Sequence, residues 1–182
     1  MVDKEQVVAD CKRKNPQAMK RLYEEFAPMM LGVCMRYTHS RDEAQDLLHD
    51  GFIKVYESIR ELEDPNSLES WMNRIMVNLS INYVVRRNEV RYFDLEQAEE
   101  EGLMDTELNL NMDSVVLVDE VIGALQSLPD KYQLAFNMRA VEEMEYDEIA
   151  RKLKVNESTV RSRVKRARAL IVEKLNMKGI QI

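Results

Sequence analysis

The chain has 182 residues, of which 45% are hydrophobic and 32% are charged. This length allows one ordinary domain or two small ones, and the composition is typical of a globular protein. No run of about 18 apolar residues predicts a membrane span, and the N-terminal segment lacks an apolar signal sequence. Cys11 and Cys34 are isolated, and His39 and His49 complete no metal-ligand pattern. We therefore expect a reduced, cytoplasmic protein without a metal or other cofactor.

The net charge of −7 is distributed unevenly along the chain. Residues 1–87 carry 13 basic and 14 acidic side chains, and residues 117–182 carry 12 basic and 10 acidic ones. Residues 88–116 carry one basic and nine acidic side chains, and this stretch shows no helical periodicity. Such a segment favours a flexible linker. Because Gly is scarce and no Asn-Gly or Asp-Gly hairpin turn occurs, we predict an all-α protein. Its two small helical domains, residues 1–87 and 115–182, are joined by an acidic linker at residues 88–114.

Three helices are predicted in the first 60 residues. The first runs from Asp3 to Lys14, and the second begins at Pro16, because proline suits the first turn of a helix. A capping box, Ser40 with Glu43 three residues later, opens the third helix. Its first half is crowded by acidic residues, namely Asp42, Glu43, Asp46 and Asp50. The helix dipole favours anions there, and an acidic docking face for a basic partner helix is an equally good interpretation.

A fourth helix follows the loop at residues 61–67, with Asn66 and Glu69 as its predicted cap. One stripe recurs every fourth residue and is predicted to be core: Trp71, Ile75, Leu79 and Tyr83. A second stripe is polar and consists of Arg74, Asn78, Asn82 and Arg86, followed by Arg87. Asn and Arg are the side chains that contact base edges and phosphates. A solvated helix face explains the same pattern about as well.

Further helices are predicted at residues 115–125 and after Leu128-Pro129, and residues 146–175 predict a helix-turn-helix. Its first helix presents one apolar face, formed by Tyr146, Ile149, Ala150 and Leu153. The turn ends at Asn156, whose side chain is a predicted N-cap. The second helix has an apolar stripe for the core, formed by Val160, Val164, Ala167, Ile171 and Leu175.

The remaining faces of this second helix are small and polar at the start and then basic. The small residues are Ser158, Thr159 and Ser162, and the cations are Arg161, Arg163, Lys165, Arg166 and Arg168. An amphipathic hairpin with solvated cations is one interpretation. We favour the other, in which the helix lies in the DNA major groove with its N-terminal residues on base edges and its cations at phosphates. With a net charge of +2, the C-terminal part would bind DNA only modestly without a partner.

Several motifs in this order resemble those of bacterial sigma factors of the extracytoplasmic-function (ECF) group. The acidic helix matches a D-x-E-D-L-x-Q-E-x-F type motif over Asp42 to Phe52. A W-x-x-x-I-x-x-N helix is matched by Trp71, Ile75 and Asn78. A leucine-proline turn, a Y-x-E-I-A helix and an S-R-x-x-R-A-R run are matched at Leu128-Pro129, at Tyr146 to Ala150 and at Ser162 to Arg168. The sequence departs from the family at Gly51, inside the acidic helix, and at Glu143, where glycine often stands.

This resemblance implies a promoter-specificity subunit that binds core RNA polymerase, recognises and helps to melt promoter DNA, and initiates transcription. The polymerase-binding residues would be Asp42, Gln45, Asp46, Leu48, His49, Asp50 and Phe52. The residues for the single-stranded minus-ten element would be Asn66, Arg74, Asn78, Asn82, Arg86 and Arg87. The residues for the minus-thirty-five element, read in the major groove, would be Ser158, Thr159, Arg161, Ser162, Arg163, Lys165, Arg166 and Arg168. An anti-sigma factor is a further expected partner.

Other classes of function explain less of the chain. A stand-alone helix-turn-helix regulator that binds operator DNA as a homodimer accounts for the basic helix, but it leaves the acidic helix and the Arg/Asn stripe as coincidences. An enzyme is disfavoured, because the sequence contains no paired nucleophile and base, no Gly-rich phosphate loop and no metal cluster.

Overall fold

The computed structural model describes residues 3–91 and 115–180, and within these ranges the backbone is largely helical and contains no β-strand. The α-helices in them are α1 (Lys4–Lys12), α2 (Pro16–Met35), α3 (Arg41–Ser58), α4 (Leu68–Arg91), α5 (Val115–Gln126), α6 (Asp130–Phe136), α7 (Tyr146–Leu153) and α8 (Glu157–Met177). None of them is both long enough and apolar enough to span a membrane. The all-α prediction is confirmed. The chain divides into two compact units, Met1–Tyr83 and Val84–Ile182, and most of the predicted linker, residues 92–114, lies outside the described residues.

Side-chain caps fix the starts of the first three helices. Asp3 caps α1 by accepting a hydrogen bond from the Gln6 backbone N–H at 3.2 Å, and Asn15 caps α2 just before Pro16. At α3 the Glu43 N–H donates to Ser40 Oγ at 3.2 Å, as the capping box predicts. The Glu43 carboxylate accepts from the His39 N–H at 3.0 Å, one residue before the expected donor. These bonds satisfy backbone groups that a helix end leaves without partners.

The core of the first unit is built from the apolar faces of α1, α2, α3 and α4. On α3 the apolar residues Ala44, Leu47, Leu48 and Val55 are buried, as is Ile59 just after its end. Three further α3 residues, Gly51, Phe52 and Ser58, are buried as well. The Lys12 ammonium donates to the Leu62 carbonyl at 2.6 Å and so attaches α1 to the loop that precedes α4.

Helix α4 turns a different stripe inward from the predicted one. Trp71, Ile75, Leu79 and Tyr83 are only half-buried. The buried side has Leu68, Met72, Met76, Ser80 and Val84 at every fourth position, together with Val77 and Ile81. Both stripes repeat every fourth residue, so the period does not separate them. Contacts with α3 determine which stripe is buried, because Met76 lies against Gly51, a residue without a Cβ.

The predicted cap of α4 is also wrong. A 3-10 turn at Pro65–Ser67 runs directly into the helix. Asn66 lies inside this turn and not before a helix, and Asp64 caps the turn, because its Oδ1 accepts from the Asn66 N–H at 2.9 Å. Pro65 follows it at the first helical position, where a proline is preorganised.

The second unit is organised around α8. Apolar residues of α5, of the Leu128-Pro129 turn and of α6 form one cluster with the C-terminal half of α8: Val121, Ala124, Leu125, Leu128, Phe136, Ala167, Ile171 and Leu175. The predicted apolar stripe of α8 is confirmed, because all five of its residues are buried: Val160, Val164, Ala167, Ile171 and Leu175. After α6 the chain makes a π-helical turn at Asn137–Val141.

Helices α7 and α8 form the predicted helix-turn-helix. Lys154 ends α7 in the left-handed region, with φ of 54°, and Val155 N–H donates to the Ala150 carbonyl at 3.1 Å. Asn156 has the extended backbone of an N-cap, but its side chain makes no capping hydrogen bond, so that part of the prediction is wrong. Glu143, in the loop before α7, also has a left-handed backbone, with φ of 55°. That conformation explains why glycine suits this position.

Candidate polymerase and nucleic-acid interfaces

The first candidate surface is the polar stripe of α4, defined here as Arg74, Asn78, Asn82 and Arg86. All four side chains are exposed. They lie on one helix face over roughly 18 Å, since each residue advances an α-helix by about 1.5 Å. Two cations flank two amides, a set that can bind phosphates at its ends and base edges between them. The sequence predicted this stripe, and the fold leaves it on the surface.

Asn66, in the turn just before α4, is also exposed. Asp64 Oδ1 accepts from the backbone N–H and from the side-chain Nδ2 of Asn66, at 2.9 and 3.1 Å. Ser67 Oγ donates to the Asp64 carbonyl at 2.8 Å. Asp64 therefore orders this turn and fixes the side-chain amide at the start of the helix that carries the polar stripe.

Arg87 differs from the stripe that it follows in sequence. Its Nε and Nη2 donate to the two carboxylate oxygens of Asp130 at 3.0 and 2.5 Å. The two side chains are only 14% and 7% exposed, and both residues belong to the second compact unit. A bidentate arginine–carboxylate pair of this kind is strong and directional. This pairing and burial argue against the predicted contact of Arg87 with the minus-ten strand.

The second candidate surface is the outer face of α3, defined here as Asp46, His49, Asp50 and Ile53. The three polar residues are exposed, and Ile53 is 57% exposed. Sequence reasoning missed Ile53, although its spacing from Asp46 and Asp50 places it on their face and not on the core face. Asp42 and Gln45, earlier on the helix, are exposed too. An acidic surface with one apolar side chain at its edge suits a basic helical partner.

Two of the predicted polymerase-contacting residues are buried. Leu48 is 3% exposed and Phe52 is 2% exposed. They belong to the core side of α3, so they position the helix and cannot contact a partner directly. A motif match alone does not separate the residues of a docking face from the residues that support it.

Aromatic rings hold the outer face of α3 against α2. The ring centroids of Tyr23 and Phe52 are 4.7 Å apart, and those of Phe52 and Tyr56 are 5.9 Å apart. Tyr23 also stacks on His49, with 6.3 Å between centroids. The Tyr56 hydroxyl donates to the Met19 carbonyl at 2.8 Å, and burial raises the pKa of Tyr56 to about 12. The surface therefore rests on a packed support.

The third candidate surface is the N-terminal half of α8. Ser158 and Arg161 are exposed. The other predicted DNA-binding residues are partly exposed: Thr159, Ser162, Arg163, Lys165, Arg166 and Arg168. Because the buried stripe occupies the opposite side of α8, the basic residues form a continuous polar surface. Two neighbours that sequence reasoning did not assign to this site, Tyr146 and Glu157, contact Arg161 directly.

Two family models match the chain in the order of these surfaces. Residues 22–90 match the model described as Sigma-70 region 2, and residues 119–171 match Sigma-70, region 4. The first match contains the α3 outer face and the α4 polar stripe, and the second contains most of the helix-turn-helix unit.

Individual relatives match over most of their length. The ECF RNA polymerase sigma-E factor of Haemophilus influenzae is 30% identical over 168 residues, covering 87% of this chain and 88% of that protein. The RNA polymerase sigma-H factor of Pseudomonas aeruginosa is 29% identical over 178 residues, covering 92% and 91%. A solved structure of the sigma factor RpoE with the anti-sigma factor NepR, from Bartonella quintana, aligns with a TM-score of 0.48 at 20% identity, covering 86% of this chain and 96% of that one.

The chain belongs to the ECF sigma factors, the subunits that give bacterial RNA polymerase its promoter specificity. This confirms the family and the function that the sequence motifs predicted. The stand-alone regulator is not favoured, because the relatives match the N-terminal unit as well as the helix-turn-helix.

Proposed function

We propose that the three surfaces divide the work of promoter recognition. The α3 outer face, with Asp42 and Gln45, binds the core polymerase, on the coiled coil of its largest subunit as the family resemblance implies. Asn66 and the α4 polar stripe bind the unpaired non-template strand of the minus-ten element. The N-terminal half of α8 binds the minus-thirty-five element in the major groove.

The observation that carries this proposal is the separation of buried residues and exposed polar residues on different sides of α4. One side of the helix, which includes Met72 and Met76, is buried in the core, and Arg74, Asn78, Asn82 and Arg86 are all exposed. Base readout needs amides and guanidinium groups that can reach base edges. A strand that is already melted presents those edges without the full cost of unstacking.

The charge distribution supports a role that depends on a partner. The predicted C-terminal domain carries little net positive charge, so phosphate attraction alone would give weak DNA binding. Docking on the polymerase raises the effective concentration of α8 at the promoter. The acidic residues 88–114, which the resemblance places in a positively charged path of the polymerase, lie largely outside the described residues.

We further propose that the chain has no catalytic activity of its own and acts in the cytoplasm. An anti-sigma factor is a further proposed partner, on the strength of the family membership. A pull-down that compares the wild-type chain with the α3 and α8 surface variants described below would identify this partner.

A run-off transcription assay tests the proposal. The protein is added to sigma-free core polymerase of the source organism on a pool of genomic fragments. We expect discrete start sites that appear only with the protein, and a common pair of sequence elements upstream of them. The proposal fails if no core binding or transcript is detected and the protein alone shifts specific duplexes.

A further inference from the structure

Tyr146, the first residue of α7, lies against two arginines from other elements. The guanidinium carbon of Arg161, on α8, lies 4.1 Å from the centroid of the Tyr146 ring. The guanidinium carbon of Arg139, in the π-helical turn, lies 4.8 Å from the same centroid. Both distances are within the range of a cation–π interaction, about 6 Å. One ring thus links the turn before the helix-turn-helix to the basic helix.

Arg161 is held a second time within α8. Its Nε and Nη2 donate to Glu157 Oε1 at 3.1 and 2.5 Å. Its side chain is nevertheless 58% exposed, so the guanidinium is oriented without being buried. An arginine that is already oriented loses fewer rotamers when it binds, which is how preorganisation raises affinity. Arg161 lies one turn into the helix, where a recognition helix places its base-contacting residues.

Arg139 anchors the other side of the arrangement. Its Nη1 donates to the Met144 carbonyl at 3.0 Å and lies 3.4 Å from Glu145 Oε1. These contacts attach Arg139 to the two residues that precede Tyr146. The Tyr146 side chain is itself half-buried. The ring therefore has a fixed position before Arg161 stacks on it.

We propose that Tyr146 is a positioning residue for promoter recognition, because its ring holds the Arg161 guanidinium in the orientation that contacts the minus-thirty-five element. This inference rests on the proposed function of α8. It adds a specificity-determining residue that lies on α7 and carries no charge. Tyr146 acts through Arg161 and need not contact DNA itself.

The test compares two substitutions at the same position. Tyr146→Phe keeps the aromatic face, and Tyr146→Leu keeps an apolar side chain without it. Each full-length variant is assembled with core polymerase, and its equilibrium binding to a promoter with an intact or a base-substituted upstream element is measured. We expect Tyr146→Phe to bind like the wild type. We expect Tyr146→Leu to lose about two- to five-fold in affinity for the intact element, the range of an exposed cation–π contact.

A double-mutant cycle with Arg161→Ala separates positioning from general packing. If Tyr146 acts through Arg161, Tyr146→Leu causes no further loss in the Arg161→Ala background. An equal loss in both backgrounds, or no loss in the wild-type background, overturns the inference. Should Tyr146→Leu fail to fold, as judged by its circular dichroism melting curve, Tyr146→Met replaces it in the same cycle.

The wild-type control keeps this inference distinct from the proposed function. If the wild-type holoenzyme does not discriminate between intact and substituted upstream elements, the proposed role of α8 fails, and the inference about Tyr146 fails with it. If the wild type discriminates and the cycle shows no coupling, only the inference about Tyr146 fails.

Discussion

Met76 of α4 occupies the space beside Gly51 of α3 that a side chain at position 51 would need. A Cβ built on Gly51 would lie 2.7 Å from the Met76 Cε atom and still closer to its Sδ atom. Met76 is fully buried, so it has little room to retreat. The glycine that departs from the family motif thus permits close packing between two helices that carry proposed interfaces.

Gly51→Ala should therefore destabilise the first unit although alanine is the better helix former. Overpacking typically costs about 1–3 kcal/mol, against a helix-propensity gain of about 1 kcal/mol. We expect a net loss of roughly 1 kcal/mol in the free energy of unfolding. Urea denaturation followed by the fluorescence of Trp71, the single tryptophan of the chain, reports on this unit. In a Met76→Ala background the same substitution should become stabilising, and persistence of the loss there would contradict the packing explanation.

Glu143→Gly should stabilise the second unit. Glu143 has φ of 55°, a left-handed conformation that costs an L-residue roughly 1–2 kcal/mol and glycine almost nothing. After the greater chain entropy of glycine is subtracted, a gain of up to about 1 kcal/mol is expected. Its neighbour provides the control: Glu142 has φ of −91°, so Glu142→Gly should be destabilising. Hydrogen exchange of peptides from α7 and α8 measures the change in stability of each variant. If both variants change stability in the same direction, the backbone explanation is excluded.

Charge reversal on the α3 outer face should weaken polymerase binding. Asp46→Lys combined with Asp50→Lys places like charges opposite a basic partner helix, an arrangement that costs several kcal/mol when the charges are close. We expect at least a roughly tenfold loss of core-polymerase affinity, measured by fluorescence anisotropy. Glu24→Lys combined with Glu25→Lys, at two exposed acidic residues of α2, makes the same change in net charge and should bind normally. The proposed docking face is wrong if the two variants lose affinity equally.

Asn78→Ala should weaken binding of the melted minus-ten strand. A good amide contact to a base edge contributes about 1–3 kcal/mol of discrimination, so holoenzyme affinity for a fork template with an unpaired non-template strand should fall about fivefold or more. Affinity for a fully paired upstream duplex should not change. Asn73→Ala, on the same helix but outside the polar stripe, is the control. Arg74→Ala should instead reduce, by about one, the slope of the logarithm of the binding constant against the logarithm of the salt concentration. This reduction is expected when one phosphate contact is lost.

The buried thiols predict a loss of stability at alkaline pH. Burial raises the pKa of Cys34 to about 12 and the pKa of Cys11 to about 11, from an ordinary value of 9.0. As the pH rises above 9, the unfolded chain loses these protons and the folded chain keeps them, so the free energy of unfolding falls. We expect these two thiols to leave the urea midpoint unchanged between pH 6 and 8 and to lower it from pH 9 to 11. The midpoint is measured by Trp71 fluorescence. Cys34→Ala should make that decline shallower, and an unchanged slope would assign it to other groups.

The helix-turn-helix was largely predictable from the sequence because its apolar and basic residues are fully segregated. The five α8 core positions are all buried as predicted, and the polar and basic residues occupy the rest of the helix. The capping box at Ser40 was equally predictable, since a cap depends on residues three apart in sequence.

The orientation of α4 could not be predicted from the same kind of signal. The helix has apolar side chains on two adjacent stripes, and only contacts with α3, at Gly51, decide which stripe is buried. The same limit applies to Leu48 and Phe52, which a family motif includes without separating core from surface. Contacts between distant residues, such as Arg87 with Asp130 or Tyr146 with Arg161, leave no pattern in a single sequence.

The two cysteines have a practical consequence for labelling. Both are buried, with 3% exposure at Cys11 and none at Cys34, and a neutral buried thiol reacts slowly with alkylating reagents because the thiolate is the nucleophile. A third cysteine introduced at an exposed position, such as Ile53 or Ser158, would therefore be the one modified by a maleimide dye in the native protein. The wild-type chain can thus serve directly as the background for distance measurements by fluorescence energy transfer, without prior removal of its own cysteines.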